Sequence, residues 1–172
     1  KRIFEEEKSE YTFRTINSLI KSTKDLKKKF SDINIKFTII HVNSPSSDIN
    51  KILTKLSNEG FKVQQTQIEN THDFKDNMAT TMASIRKSFE EAKKCEDLIY
   101  FVEDDYIHKK ESLAEMIFAY EKFSSILEDE IFILSTDYPY LYKMMGNSSI
   151  LIGEQTHWRT VNESLLTFMT SK

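Results

Sequence analysis

Three consecutive acidic residues, Glu103, Asp104 and Asp105, follow the apolar run of residues 98–102. Carboxylates packed this closely repel one another unless a cation or a basic partner neutralises them. Their hard oxygen ligands suit Mg²⁺ or Mn²⁺, which keep several waters and bind one or two carboxylates together with substrate phosphates. The triplet is therefore suited to a metal-bound nucleotide diphosphate. An acidic turn that caps a helix beginning near Lys110 explains the same residues equally well.

The strand ahead of the triplet is predicted to lie inside an α/β sheet. Residues 98–102 are continuously apolar, which is typical of a parallel strand covered on both faces, and we expect a buried strand over residues 98–105. Further strands are predicted at residues 36–42, 61–67, 131–134 and 150–152. Ligands of open α/β sheets bind outside the carboxyl ends of the strands. The loop of residues 43–48 and the acidic triplet are therefore the candidate binding loops.

Amphipathic helices are predicted to alternate with these strands. Apolar residues recur at helical spacing in residues 11–30, 49–56, 77–92 and 113–123. Gly60 stands where a C-cap glycine ends the second helix, and Asn77 can cap the third, with Met78 and Met82 facing inward. Strands alternating with such helices predict an α/β fold with a single doubly wound, mainly parallel sheet flanked by helices.

The composition indicates an ordinary globular protein and excludes several classes of partner. A chain of 172 residues suits one domain, and it shows no internal repeat. A net charge of −3 favours no nucleic-acid partner, and no apolar run approaches the roughly 18 residues that span a bilayer. Cys95 is the only cysteine, which fits a reducing compartment, so we expect a cytoplasmic protein.

The segment Cys-Glu-Asp-Leu-Ile-Tyr-Phe-Val-Glu-Asp-Asp-Tyr, residues 95–106, resembles the core of glycosyltransferases with the GT-A fold, especially the inverting glycosyltransferase family 2. In that family, a hydrophobic strand ends in an Asp-x-Asp-type metal motif. Residues 14–19 resemble the first helix of the fold, and residues 35–48 resemble its second strand and loop. The resemblance covers roughly residues 11–135. It implies one nucleotide-diphospho-sugar transferase-like domain over residues 1–172, shortened at one or both ends.

The resemblance implies a metal-dependent enzyme that moves a sugar from a nucleotide-sugar donor to an acceptor hydroxyl, with inversion. Asp105 matches the main metal ligand, Glu103 matches a metal or ribose contact, and Asp104 could share either role. The implied cofactor is Mn²⁺ or Mg²⁺. Such an enzyme is expected in the cytoplasm, at the periphery of a membrane where glycans are assembled. The donor-binding residues assigned in this way are His41, Asn43, Asn77, Glu103, Asp104 and Arg159.

A second cluster, residues 155–163, contains the only tryptophan and lies where a glycosyltransferase of this family holds its acceptor. Within the resemblance, Glu163 is the candidate general base for the acceptor hydroxyl. Arg159 could neutralise the leaving diphosphate by a bidentate contact. Trp158 could stack on a sugar ring, and His157 could complete the metal shell. Tyr140, in an aromatic loop, could form a wall on the acceptor side.

Structural roles account for the same residues. Glu163 could cap a final helix after Asn162, Trp158 could anchor the core, and Arg159 could pair with a nearby acid. Tyr140 could simply pack beneath a long connection. These alternatives stay open on the sequence alone.

Departures from the family pattern keep other functions in view. The first acidic position is Glu rather than Asp, His41 and Val42 replace the usual acidic pair after the second strand, and no opening strand is recognisable in residues 1–10. A non-catalytic GT-A-like module that binds a glycan or a partner is therefore the alternative function. Nucleotidyl transfer is disfavoured, because the phosphate loops of such enzymes are Gly-rich and no glycine precedes Gly60.

Overall fold

The computed structural model describes residues 7–69, 77–143, 147–163 and 165–172 as a mixed α/β protein. Its helices are α1 (Lys8–Lys29), α2 (Ser46–Asn58), α3 (Asn77–Ala92), α4 (Ser112–Leu127) and a short 3-10 helix at Pro139–Lys143. Its strands are β1 (Lys36–His41), β2 (Lys62–Gln67), β3 (Leu98–Phe101), β4 (Ile150–Ile152), β5 (His157–Arg159) and β6 (Phe168–Ser171). The predicted alternation of helices and strands is confirmed as far as α4.

The four predicted α-helices all form. Gly60 has φ +79°, a left-handed conformation that glycine adopts without strain, and it follows α2 as predicted. The inward-facing prediction is wrong for Met78 and Met82, which are 62% and 52% exposed.

The strands pair as separate two-stranded sheets within the described residues. β1 and β2 pair in parallel, with Lys36 opposite Lys62 and His41 opposite Gln67. β3 pairs antiparallel with β6, and β4 pairs antiparallel with β5 in a hairpin. The single large sheet predicted from the sequence is therefore not observed in these residues.

The strand before the acidic triplet is shorter and less covered than its sequence suggests. β3 stops at Phe101, and each of its residues is half-buried rather than buried on both faces. Its hydrogen-bonded neighbour is β6, which the sequence did not predict. In the predicted strand of residues 131–134, only Ile133 forms a bridge, to Met169 of β6. The final helix considered for the residues after Asn162 does not form in residues 165–172, where β6 lies instead.

Two apolar clusters hold these elements together around α1. The larger joins α1 and α4 to the β6 region and contains residues such as Leu26, Met116 and Met169. The smaller joins α1 to α2 through Ile20 and Leu56. Because both clusters contain residues of α1, this helix is the common support of the β1–β2 and β3–β6 pairs.

Candidate functional site

A row of hydroxyl groups on α1 fixes the segment that carries the acidic triplet. Thr15 donates to the backbone carbonyl of Asp104 at 3.1 Å. Further along the same helix, Ser18 accepts from the backbone N–H of His108 at 2.9 Å, and Ser22 accepts from that of Leu113 at 3.1 Å. Spacings of three and four residues put these hydroxyls on one helical face. The chain from the triplet to the start of α4 is therefore held along α1.

Asp104 points toward the first turns of α1. Its carboxylate accepts a hydrogen bond from Thr12 at 3.1 Å and lies 3.5 Å from the Lys8 ammonium group. A carboxylate close to a helix N-terminus is also favoured by the helix dipole. Asp104 thus has a basic partner in Lys8, whereas no ion pair to Glu103 or Asp105 occurs among the described residues.

The acidic strand end, defined here as Glu103 and Asp105, carries negative charge without a basic partner. The backbone N–H of Glu103 donates to Thr167 Oγ1 at 3.2 Å, which ties the end of β3 to the residue just before β6. Burial raises the pKa of Glu103, and the Asp105 carboxylate raises it further, whereas a hydrogen bond with Tyr106 opposes the shift. Among the described residues, no basic side chain forms an ion pair with either carboxylate. This is an arrangement that a bound cation would relieve.

Three tyrosines, called here the tyrosine bridge, connect the acidic strand end to the second cluster. Tyr106 contacts Glu103 and forms a hydroxyl–hydroxyl hydrogen bond with Tyr138. The ring of Tyr138 lies 5.8 Å from that of Tyr140. Burial raises the pKa of Tyr140, and the charge and hydrogen bond of Glu163 raise it further. The predicted metal and base carboxylates therefore belong to one connected network.

Arg159 lies near the bridge and is held by an acid. Its Nη2 and Nε atoms lie 2.6 and 3.1 Å from Asp137 Oδ1, and its guanidinium group stacks 4.2 Å above the ring centre of Tyr142. The Arg159 hydrogen bond is the main cause that lowers the pKa of Asp137. The ion pair considered from the sequence is thus present, and a diphosphate would have to compete with it.

Trp158 anchors the β4–β5 hairpin to α4. Its Nε1–H donates to Glu115 Oε1 at 3.0 Å, and the backbone N–H groups of Glu154 and Gln155 donate to the same carboxylate at 3.1 and 2.9 Å. Glu115 is 5% exposed. Glu115 and its three N–H donors are called here the hairpin anchor. A Cβ on Gly153 would lie 2.1 Å from Glu115 Oε1, so only glycine fits there.

The remaining predicted ligands do not form a metal cluster. His157 is exposed at the start of β5. No group of three or more His, Cys, Asp or Glu side chains that could hold a metal ion occurs in the part of the chain that the structure describes. A cation at the acidic strand end would therefore take its other ligands from water or from a substrate, as Mg²⁺ commonly does.

The predicted donor-binding residues of the N-terminal half lie around β1 and α3. His41 ends β1, and both of its ring nitrogens are buried without a hydrogen-bond partner in the described residues. Asn43 has φ +50°, a left-handed conformation that asparagine tolerates, in the loop before α2. Asn77 begins α3, and its side chain lies outside the described residues.

Several residues that build the site were not identified from the sequence. Tyr106 follows the triplet directly in the sequence. Thr12, Thr15 and Ser18 have helical spacing, so a search for polar residues on the apolar face of α1 would have found these hydroxyl groups. Tyr138 belongs to the predicted aromatic loop, but its contact with Tyr106 could not be predicted. Thr167 carries no local signal, because its role depends on a contact with Glu103, far away in the chain.

No known protein family, no curated protein and no solved structure matches this chain. No helix in the described residues is long and apolar enough to cross a bilayer. The geometry of the acidic strand end and the tyrosine bridge therefore carries the functional proposal.

Proposed function

We propose that this protein is a metal-dependent glycosyltransferase, which moves a sugar from a nucleotide-sugar donor to an acceptor hydroxyl with inversion. The observation that carries the proposal is the acidic strand end: two carboxylates beyond β3, one of them with a raised pKa, and no basic partner among the described residues. The resemblance of residues 95–106 to the metal motif of GT-A glycosyltransferases supports it. A doubly wound GT-A sheet is the fold that we propose with this function.

The acidic strand end fits a divalent cation in its donor chemistry. Carboxylate oxygens are the ligands of Mg²⁺ and Mn²⁺, and two carboxylates leave room for waters and phosphate oxygens. Asp105 would hold the cation, and Glu103 would bind either the cation or the ribose of the donor. A bound cation supplies positive charge that stabilises the departing diphosphate.

Glu163 is the proposed general base. It is exposed and hydrogen-bonded to Tyr140, so its carboxylate is accessible to an acceptor and held in direction. In an inverting transfer, the acceptor oxygen attacks the anomeric carbon as the bond to the diphosphate breaks, and Glu163 takes the proton of the hydroxyl. Tyr140, with its ring beside that of Tyr138, offers a flat surface to the acceptor.

Arg159 and Trp158 take secondary roles in this proposal. Arg159 could assist the diphosphate only by exchanging its contact with Asp137, which is half exposed and so permits exchange. Trp158 could offer a sugar only a ring face, because its N–H is bound to Glu115. The exposed His157 does not group with Glu103 and Asp105 in the described residues, so it is not one of the proposed cation ligands.

Nucleotide binding is the first test. Calorimetric titration of the protein with nucleoside diphosphates should show binding that depends on Mn²⁺, and Asp105→Asn should weaken it at least about tenfold, which corresponds to ~1.4 kcal/mol. Asp129→Asn is the matched control, since Asp129 is an exposed acid beyond α4 whose replacement keeps the oxygen that accepts from Glu130 N–H. Binding that ignores both Mn²⁺ and Asp105→Asn would contradict the proposal. Binding of glycans without nucleotide would instead support the non-catalytic module.

Sugar transfer or donor hydrolysis is the second test. With Mn²⁺ and a panel of nucleotide sugars, Glu163→Gln should lower the turnover rate by about 10²-fold or more, which is typical for loss of a general base, while nucleotide binding stays unchanged. Asp129→Asn again serves as control. Equal rates for the Glu163→Gln variant and the unaltered protein would remove Glu163 from the mechanism.

A further inference from the structure

Four phenylalanine rings form a continuous row across one face of the β3–β6 pair. The ring centre of Phe89, on α3, lies 5.1 Å from that of Phe101, which lies 4.9 Å from that of Phe168. The row ends at Phe132, whose ring centre lies 5.4 Å from that of Phe168. Such distances are typical of aromatic rings in direct contact. These four residues are called here the aromatic row.

The pairing of the strands explains the row. Phe101 and Phe168 lie directly opposite each other in the antiparallel pair, so their side chains share one face of it. The bridge between Ile133 and Met169 places Phe132 beside the other edge of β6. Ile133 and Met169 are buried in the core with α1 and α4. Because side chains alternate along a strand, Phe132 and Phe168 point to the face away from that core.

The two ends of the aromatic row are open to solvent. Phe89 is 48% exposed and Phe132 is 63% exposed, whereas Phe168 between them is buried. An aromatic side chain buries about 150–250 Å² when it is fully covered, so the exposed parts of these two rings amount to roughly 200 Å². Met82, two turns before Phe89 on the same face of α3, adds further apolar surface. A stable interface buries about 800 Å² per partner, so this surface suffices for the apolar centre of a small one.

The two ends of the row carry opposite charge. Around Phe89, residues 86–94 contain four basic and two acidic residues. Both acids are held in ion pairs by neighbouring basic side chains, while Lys93, one turn after Phe89, forms no ion pair among the described residues. Around Phe132, residues 123–142 contain four acidic residues and no basic one. Of these acids, Glu128 and Asp129 are exposed and form no ion pair within the described part of the chain.

We propose that the aromatic row is the centre of a homodimer interface, on which a second copy of this chain packs across a two-fold axis. An axis through the middle of the row brings the Phe89 end of one copy against the Phe132 end of the other. Lys93 of each copy then faces the acidic residues 128–129 of the other. Since a two-fold axis repeats every contact, the interface contains each of these contacts twice.

Opposite charge at the two ends makes the surface complementary to itself, because like charges at both ends would repel a second copy. The small apolar area implies weak association, with a Kd of about 1–100 µM. The inference does not rest on the glycosyltransferase proposal, since association is measured without any activity.

Sedimentation velocity over a range of protein concentrations tests the interface. The unaltered protein should pass from monomer to dimer between about 1 and 200 µM. Phe132→Ser should raise the Kd of the dimer at least about tenfold, because the two-fold axis removes the exposed ring twice. Ile150→Ser is the matched control, since it removes an apolar side chain that is 72% exposed on the hairpin anchored to α4. It should leave the Kd unchanged, and circular dichroism checks that both variants are folded.

Charge reversal tests the two-fold arrangement. Lys93→Glu makes both ends of the row acidic and should raise the Kd at least about tenfold. Adding Glu128→Lys and Asp129→Lys to the same chain makes the ends opposite again, and the Kd should return to within about threefold of its original value.

Three results overturn the proposal. The first is a protein that stays monomeric at every concentration, which would leave the aromatic row to a partner of different sequence. The second is a dimer that Phe132→Ser does not weaken, or that Ile150→Ser weakens equally, because its interface then lies elsewhere. The third is a triple charge variant that associates no better than Lys93→Glu alone, because the two ends of the row then do not face each other.

Discussion

The hairpin anchor and the acidic strand end place carboxylates in opposite situations. Glu115 accepts three N–H groups and is almost fully buried. Glu103 is less buried, faces a second carboxylate, and has a raised pKa. Hydrogen bonds from fixed donors stabilise a buried charge, whereas a like charge destabilises it. Glu115 is therefore part of the fold, whereas Glu103 and Asp105 are in the electrostatic situation that the proposed cation would relieve.

The hairpin anchor gives the largest expected effect on stability. Glu115→Ala leaves three N–H groups of the hairpin without their acceptor, and each buried unsatisfied donor costs about 1–3 kcal/mol. We expect the free energy of unfolding, measured in urea, to fall by roughly 3 kcal/mol after partial rehydration of the hairpin. Glu121→Ala on the exposed face of the same helix should change it by less than about 0.5 kcal/mol. Similar values for the two variants would remove the distinction between anchored and available carboxylates.

Gly153 provides a second, smaller test of the same anchor. A Cβ at this position would lie 2.1 Å from Glu115 Oε1, 2.6 Å from Trp158 Nε1 and 2.8 Å from the carbonyl oxygen of Thr156. Gly153→Ala should therefore lower the free energy of unfolding by about 1–3 kcal/mol, as overpacking commonly does.

The control for Gly153→Ala is the double variant with Glu115→Ala. Removing the carboxylate removes the closest clash. The double variant should therefore lose less free energy of unfolding than the sum of the losses in the two single variants. Strict additivity would show that Gly153 is constrained by the Thr156 backbone rather than by the anchor.

The local elements could be predicted from the sequence, whereas their pairing could not. Helical periodicity predicted all four α-helices, and Gly60 marked the end of α2. The partner of β3 was missed because β6 is short and far from β3 in the sequence, and no periodicity in residues 165–172 distinguishes a strand. An apolar run such as residues 98–102 indicates a strand but does not identify its neighbour.

The candidate site divides in the same way. The acidic triplet could be recognised because three carboxylates directly after an apolar run form a pattern within a short stretch of sequence. The different surroundings of Asp104 and Asp105 could not be recognised from the sequence. They arise because Asp104 contacts Lys8 and Thr12, which lie far away in the chain. Likewise, Trp158 was considered both as a sugar platform and as a core anchor, and only the position of Glu115 shows the anchoring contact.

The acidic strand end gives the smallest effect on stability. Here the substitution reduces a loss of stability, whereas Glu115→Ala causes one. Because the folded protein raises the pKa of Glu103, this residue favours folding most at pH values below its unfolded pKa. Its contribution is lost as the pH rises from that value through the raised folded pKa. Asp105→Asn removes the second cause of the shift, so NMR titration should show a lower pKa for Glu103, nearer to its ordinary value. The loss of stability over that pH range should shrink as well. An unchanged Glu103 pKa would mean that burial alone sets it, and the electrostatic reason to expect a cation between the two carboxylates would disappear.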